Sequence, residues 1–197
     1  MEGILGIIVA ALFSQNFILV KFLGICPFLG VSKKTDSALS MGIAVTLVMV
    51  ITCAVTYPIY RYILTPLDLQ YLEIIVFILV IASLVQMMEM ILKKFSPGLY
   101  SALGIYLPLV TTNCAILGVA ELVIAAGKEA GTWAYTYGNA VLYGLFAGIG
   151  FTIAIVLLSG LREKTDKLNL PKCLKGFPIT MIIATFMAMA FSVFSGL

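Results

Sequence analysis

The sequence predicts an all-α integral membrane protein: six transmembrane helices forming two inverted three-helix repeats, with helices 1 and 4 broken and both termini extracytoplasmic. Three observations carry this. Of 197 residues, 62% are hydrophobic and 11% charged, with a mean hydropathy of +1.14, whereas a soluble domain keeps about a quarter of its residues charged. The apolar residues fall into six stretches, each long enough to cross a bilayer of roughly 30 Å at 1.5 Å per residue. The pattern Cys-x-x-Leu-Gly-Val occurs twice, at Cys26–Val31 and Cys114–Val119, 88 residues apart.

The six stretches run Gly3–Val31, Leu39–Tyr60, Leu69–Leu92, Leu99–Ala120, Trp133–Leu161 and Phe177–Leu197, joined by short polar connections. The chain reads as a single membrane domain over 1–197, with repeat 1 at 1–96 and repeat 2 at 97–197. The first stretch lacks a basic leader and a small-residue cleavage site, so it is expected to be a span, not a removable signal. Nine of the twelve basic residues fall in alternate connections: Lys33 and Lys34; Lys93 and Lys94; Arg162, Lys164, Lys167, Lys172 and Lys175. Basic loops stay cytoplasmic, which turns both termini outward. Trp133 and Tyr135 suit an outer aromatic belt. The net charge of +3 reflects this orientation and implies no nucleic-acid partner. The absence of histidine excludes imidazole metal sites and histidine-dependent hydrolytic dyads and triads.

An odd number of spans per half inverts the second copy, an arrangement that places functional sites on discontinuous helices near the bilayer midplane. The residues that break helices are in place. Pro27 lacks an N–H and would clash with the Leu23 carbonyl in a continuous helix, so a kink is expected there, and Gly24 and Gly30 permit turns. In the second copy Pro108 frees the Gly104 carbonyl, and Thr111, Thr112 and Asn113 offer side chains to opened backbone groups. Continuous helices would hold Cys26, seven residues before Lys33, and Cys114, seven before Glu121, about 10 Å from opposite surfaces. Breaks followed by extended backbone would let both reach the midplane. Irregular backbone at that depth must be buried in protein or line a cavity.

Two midplane thiols suit soft-metal chemistry, and iron–sulfur clusters take four cysteine ligands. One chain supplies two, so a homologous partner of opposite orientation is the expected source of the others. Lys21, inside the first span, either offsets the charge of such a site or snorkels toward the cytoplasm. On the residues alone, Cys26 and Cys114 remain either ligands or small residues that let helices approach. Cys53 and Cys173 have no counterpart in the repeat and read as incidental. Glu89 lies four residues before Lys93, a spacing for an ion pair; with Glu73 it is the alternative candidate for an ion path. Gly144 and Gly148 mark close helix packing, not a nucleotide loop.

The segments Asn16–Lys34 and Leu103–Ala120 resemble the two signatures of the A-type membrane component of the Rnf ion-translocating electron-transport complex, and the resemblance covers nearly the whole chain. The chain is also similar to the E-type component of the sodium-pumping NADH:quinone oxidoreductase, though Leu117-Gly118-Val119-Ala120 favours Rnf. The resemblance implies a component of a ferredoxin:NAD⁺ oxidoreductase, an ion-transporting translocase in the prokaryotic plasma (inner) membrane, with no stand-alone activity. It implies a [2Fe-2S] cluster shared with a homologous inverted membrane protein, like the E-type component of Rnf, with Cys26 and Cys114 as this chain's ligands. Lys21, Gly24, Pro27, Gly30, Thr112, Asn113 and Gly118 would form its surroundings. Further components of the B, C, D and G types would complete the complex, and Na⁺ or H⁺ would be translocated. The expected mechanism is one-electron relay, with the broken helices gating ion access. Two rivals are an inverted-repeat carrier of small solutes or ions without a redox centre, and a purely structural role.

Overall fold

Two long antiparallel helices form the spine of the protein, whose computed structural model describes residues 18–32, 35–66, 70–95, 109, 113–129, 137–165, 167 and 176–195. Among these residues the structure is all helix and turn. Six α-helices follow in chain order: α1 (Ile25–Val31), α2 (Thr35–Ile59), α3 (Glu73–Phe95), α4 (Cys114–Glu129), α5 (Tyr137–Thr165) and α6 (Phe177–Ser195). The first part of the first stretch, Pro108, Thr111, Thr112, Trp133, Tyr135, Cys173 and four of the loop lysines (Lys33, Lys34, Lys172 and Lys175) lie outside the described residues.

The spine is α2 against α5, and its contacts run in opposite directions along the two helices. Thr35 donates to Glu163 at one end, and the Tyr57 and Tyr137 rings meet edge to face at the other, 6.4 Å between centroids. Twenty-two residues separate Thr35 from Tyr57, a rise of about 33 Å, which matches the hydrocarbon thickness of a bilayer. Between these ends lies a reciprocal contact. A carbon added at Gly42 would come within 2.6 Å of Thr152 Cγ2, and one added at Gly148 within 2.7 Å of the Thr46 backbone. Gly42-x-x-x-Thr46 and Gly148-x-x-x-Thr152 thus exchange the same contact, glycine to threonine, in each direction.

The threonines also solve a polar problem. Their hydroxyls donate one turn back, Thr46 to the Gly42 carbonyl at 2.7 Å and Thr152 to the Gly148 carbonyl at 2.9 Å. Such bonds satisfy a hydroxyl where no water is present. The two hydroxyl oxygens lie 3.2 Å apart, so either can also turn its proton across the interface. Lipid tails are as apolar as leucine, so association here depends on close packing and on such hydrogen bonds, each worth about 0.6 kcal/mol on average. Farther along, a carbon at Gly144 would meet Cys53 Sγ at 2.8 Å, which gives buried Cys53 a packing role.

The outward faces are apolar. On α3, Phe77, Ile81 and Val85 are buried at four-residue spacing, while Ile74, Ile75, Ile78, Leu79, Met87 and Met90 are exposed. A continuous apolar exterior of this kind belongs in lipid.

Several boundaries differ from the sequence reading. The second span extends from Tyr60 through Leu64 as a π-helical turn, giving an apolar helix of 30 residues from Thr35 to Leu64. Pro58 withholds an N–H within it, and the wider ladder resumes through the Thr65 N–H bonded to the Tyr60 carbonyl at 3.1 Å. The fourth span does not stop at Ala120: α4 carries Glu121 inside the helix and continues to Glu129. Arg162 belongs to α5, not to a loop.

Replacing Gly148 with Val is expected to force α2 and α5 apart and to destabilise the protein by about 1–3 kcal/mol. A lowered thermal unfolding midpoint of the detergent-purified protein is the readout. Gly160→Ala, where an added carbon meets nothing within 4 Å, should leave the midpoint unchanged or raised.

Candidate functional site

The two cysteine signatures meet at a tight backbone turn. Phe22 adopts φ +56° and Gly24 φ +81°, both left-handed, and the chain turns there before α1 begins at Ile25. The Gly24 carbonyl accepts the first helical bond, from the Phe28 N–H at 3.3 Å. Its own N–H, freed by the turn, donates to Cys114 Sγ at 2.9 Å, across 90 residues of sequence. Glycine is required twice over. A side chain would be strained at this φ, and an added carbon would crowd Ala115 Cβ (3.0 Å), Asn113 Oδ1 (3.1 Å) and Phe151 Cε2 (3.2 Å).

Among the described residues the turn therefore lies at Phe22–Gly24, ahead of Pro27. Pro27 occupies the first turn of α1, where its missing N–H costs nothing because no helical acceptor precedes it. Gly30 is helical and makes no turn, and a carbon added there would meet Leu109 Cδ2 at an ordinary 3.5 Å. The backbone beyond each cysteine is also helical, not extended: α1 is seven residues long and α4 sixteen.

Asn113 begins the second half of the site. It is 5% exposed, and its Oδ1 accepts the Ala115 N–H at 3.1 Å, capping the first turn of α4. Its Nδ2 is buried without a hydrogen-bond partner among the described residues. Cys114 follows as the first residue of α4, where the helix dipole favours negative charge. Gly118 lies one turn farther along α4.

Cys26 is the second residue of α1, within about 8 Å of Gly24 by Cα separation along the chain. Both thiols are exposed on the surface of the chain, whereas Cys53 is buried. Phe151, against which Gly24 packs, is the central residue of the 29-residue α5, so the turn sits level with the middle of that helix. No group of three or more His, Cys, Asp or Glu residues is assembled among the described residues. The arrangement brings together Gly24, Asn113 and Cys114, with Cys26 two residues along the chain from the contact, and leaves both thiols reachable from outside.

The other sequence candidates stand apart. Lys21 is exposed just before the turn and makes no hydrogen bond or ion pair among the described residues. Glu73 opens α3, and Glu89 lies near its far end, both half-buried. Lys93 follows Glu89 by one turn of the same helix, and a pair closed there, at an exposed lysine, would gain little. Sequence reasoning passed over Arg162, which is 9% exposed and donates from Nη1 to the Leu29 carbonyl at 3.2 Å and to Ser32 Oγ at 3.0 Å. A lone arginine closing an apolar run, among loop residues that are otherwise lysine, was the available signal, since arginine is the cation better suited to burial.

The fold and site define a polytopic membrane protein in which two cysteine-bearing helix starts meet at one place. Residues 4–197 match the family described as "Rnf-Nqr subunit, membrane protein", and the chain belongs to that family. It is 52% identical over 97% of its length to a protein of Acetobacterium woodii named as the A component of the Na⁺-translocating ferredoxin:NAD⁺ oxidoreductase complex, covering 96% of that protein. A protein of Syntrophotalea carbinolica named as the A component of an ion-translocating oxidoreductase complex is 48% identical over the whole chain and 98% of its own length. A protein of the same name from Azoarcus sp. is 50% identical over 93% of the chain and 91% of its own length. The apolar helices are thus those of a membrane-embedded subunit.

Gly24→Ala is expected to displace Cys114 and lower stability more than Asn113→Ala, which removes one helix cap worth about 1 kcal/mol. Thermal unfolding measures both. Asn113→Ser, which keeps a capping oxygen, should recover most of the loss.

Proposed function

We propose that the chain is the electron-relay membrane subunit of an ion-translocating ferredoxin:NAD⁺ oxidoreductase, with Cys26 and Cys114 as half of the ligand set of a [2Fe-2S] cluster shared with a homologous inverted subunit. The observation that carries the reading is the Gly24 N–H···Sγ bond, which joins the two cysteine signatures at one place. The donor set fits half of such a site. It comprises two exposed thiols, a backbone N–H already directed at one sulfur, and an unpartnered buried amide beside it. N–H donors toward sulfur stabilise added negative charge and tune potential. Two ligands do not complete a cluster, so the exposed face of the thiols is where the partner subunit's pair would meet them.

When bound, the cluster supplies one-electron carriage across the midplane. The chain's own contribution is positional. The Gly24 turn holds Cys114, the first turn of α1 holds Cys26, and Asn113 fixes the start of α4. The antiparallel spine, with its reciprocal Gly–Thr contacts, supports the reading of two inverted halves, and the site's level at Phe151 supports a midplane depth. The basic connections support extracytoplasmic termini in a prokaryotic plasma membrane. Coupling to Na⁺ or H⁺ would then arise as the short α1 and the start of α4 shift with the charge on their sulfurs.

In the assembled complex, Cys26→Ser and Cys114→Ser should each abolish the cluster's EPR signal and stop electron flow from ferredoxin to NAD⁺. An unaltered signal in both variants would contradict the ligand assignment. Iron and acid-labile sulfide in this chain purified with its homologous partner alone separate this reading from a carrier, which would move its solute with neither.

A further inference from the structure

The geometry points to Arg162 as the positioning residue for the Cys26 helix, an inference that rests on the proposed role of Cys26. A helix of seven residues does not hold its shape unaided, because nucleation is costly and few internal bonds repay it. α1 is held at three places. Its start is fixed by the Gly24 turn, and one face is buried through Phe28 and Val31. Its end is fixed by α5: the Arg162 guanidinium reaches from near the end of the long helix to the Leu29 carbonyl and the Ser32 hydroxyl.

Each partner of Arg162 is one that α1 leaves open. α1 stops at Val31, so the Leu29 carbonyl has no helical donor; the Ser32 hydroxyl also turns back to it at 3.4 Å. A cation placed there meets the negative end of the helix. The neighbouring carboxylate is engaged elsewhere, since Glu163 accepts from Thr35 and lies 3.9 Å from Lys167. Among the described residues no carboxylate pairs with Arg162, and the end of α1 is what this buried side chain bonds to there. Cys26 lies one turn before Leu29. The angle at which Arg162 holds α1 therefore sets where the Cys26 sulfur stands relative to Cys114, and it ties that position to the end of α5, beside Lys164 and Lys167.

The test has two arms. In the full chain freed of iron, with Cys53 and Cys173 replaced by Ala, maleimide labelling is followed separately at Cys26 and Cys114. Arg162→Gln should raise the Cys26 rate at least threefold and leave the Cys114 rate within twofold, with Ser32→Ala intermediate. In the assembled complex, Arg162→Gln should shift the g-values or midpoint potential of the cluster, and Arg162→Lys should restore them toward the parent. Unchanged Cys26 labelling together with an unchanged spectrum in Arg162→Gln would overturn the inference. If Arg162→Gln does not assemble, Ser32→Ala decides: a raised Cys26 rate supports the inference and an unchanged one overturns it. Absence of any cluster signal in the parent complex would overturn the proposed role of Cys26, while the labelling arm would still decide whether Arg162 holds α1.

Discussion

The hydrogen bond from the Gly24 N–H to Cys114 Sγ is the contact on which the site depends. It exists because the chain turns through left-handed conformations at Phe22 and Gly24, which withdraws one backbone donor from helical use and directs it at a sulfur 90 residues away. A side chain at Gly24 would be strained at its positive φ and would crowd Ala115, Asn113 and Phe151, so the turn brings the first signature close to α4 and α5. In lipid an unsatisfied N–H costs several kcal/mol. The turn is tolerable only because a partner stands opposite it, and the partner is the residue the sequence repeats.

This contact needs a rigid frame, and α2 with α5 supplies it. Their antiparallel packing keeps one register from Thr35–Glu163 to Tyr57–Tyr137, and the crossing is tight because glycine faces threonine in both directions. The short α1 is thus hung on a long helix, its end on α5 through Arg162 and its start beside Phe151 through Gly24.

Much of this was legible in the sequence, for identifiable reasons. Hydropathy runs located the apolar helices because bilayer thickness imposes their length, and the repeated Cys-x-x-Leu-Gly-Val marked the two segments that the Gly24–Cys114 contact joins. What escaped depended on tertiary context. Pro27 signals a break in a continuous helix but is harmless in a first turn, and only the φ angles of Phe22 and Gly24 show which applies. Glu121 looks like a span end by charge, yet α4 carries it half-buried. Arg162 looks like a topogenic loop charge, and its burial follows from where α1 ends, which no local pattern encodes. The Gly-x-x-x-Thr pairs at Gly42 and Gly148 were present in the sequence, but their reciprocity appears only once α2 and α5 are seen antiparallel.

The central claim is that the fold of one chain brings Cys26 and Cys114 to a single site. With Cys53 and Cys173 replaced by Ala, treatment of the iron-free full chain with a short bis-maleimide tests it directly. The account predicts an efficient intramolecular link between peptides containing Cys26 and Cys114, identified by mass spectrometry, and its loss in Gly24→Ala. Two thiols that each react fully with a monofunctional maleimide yet yield no link would contradict it.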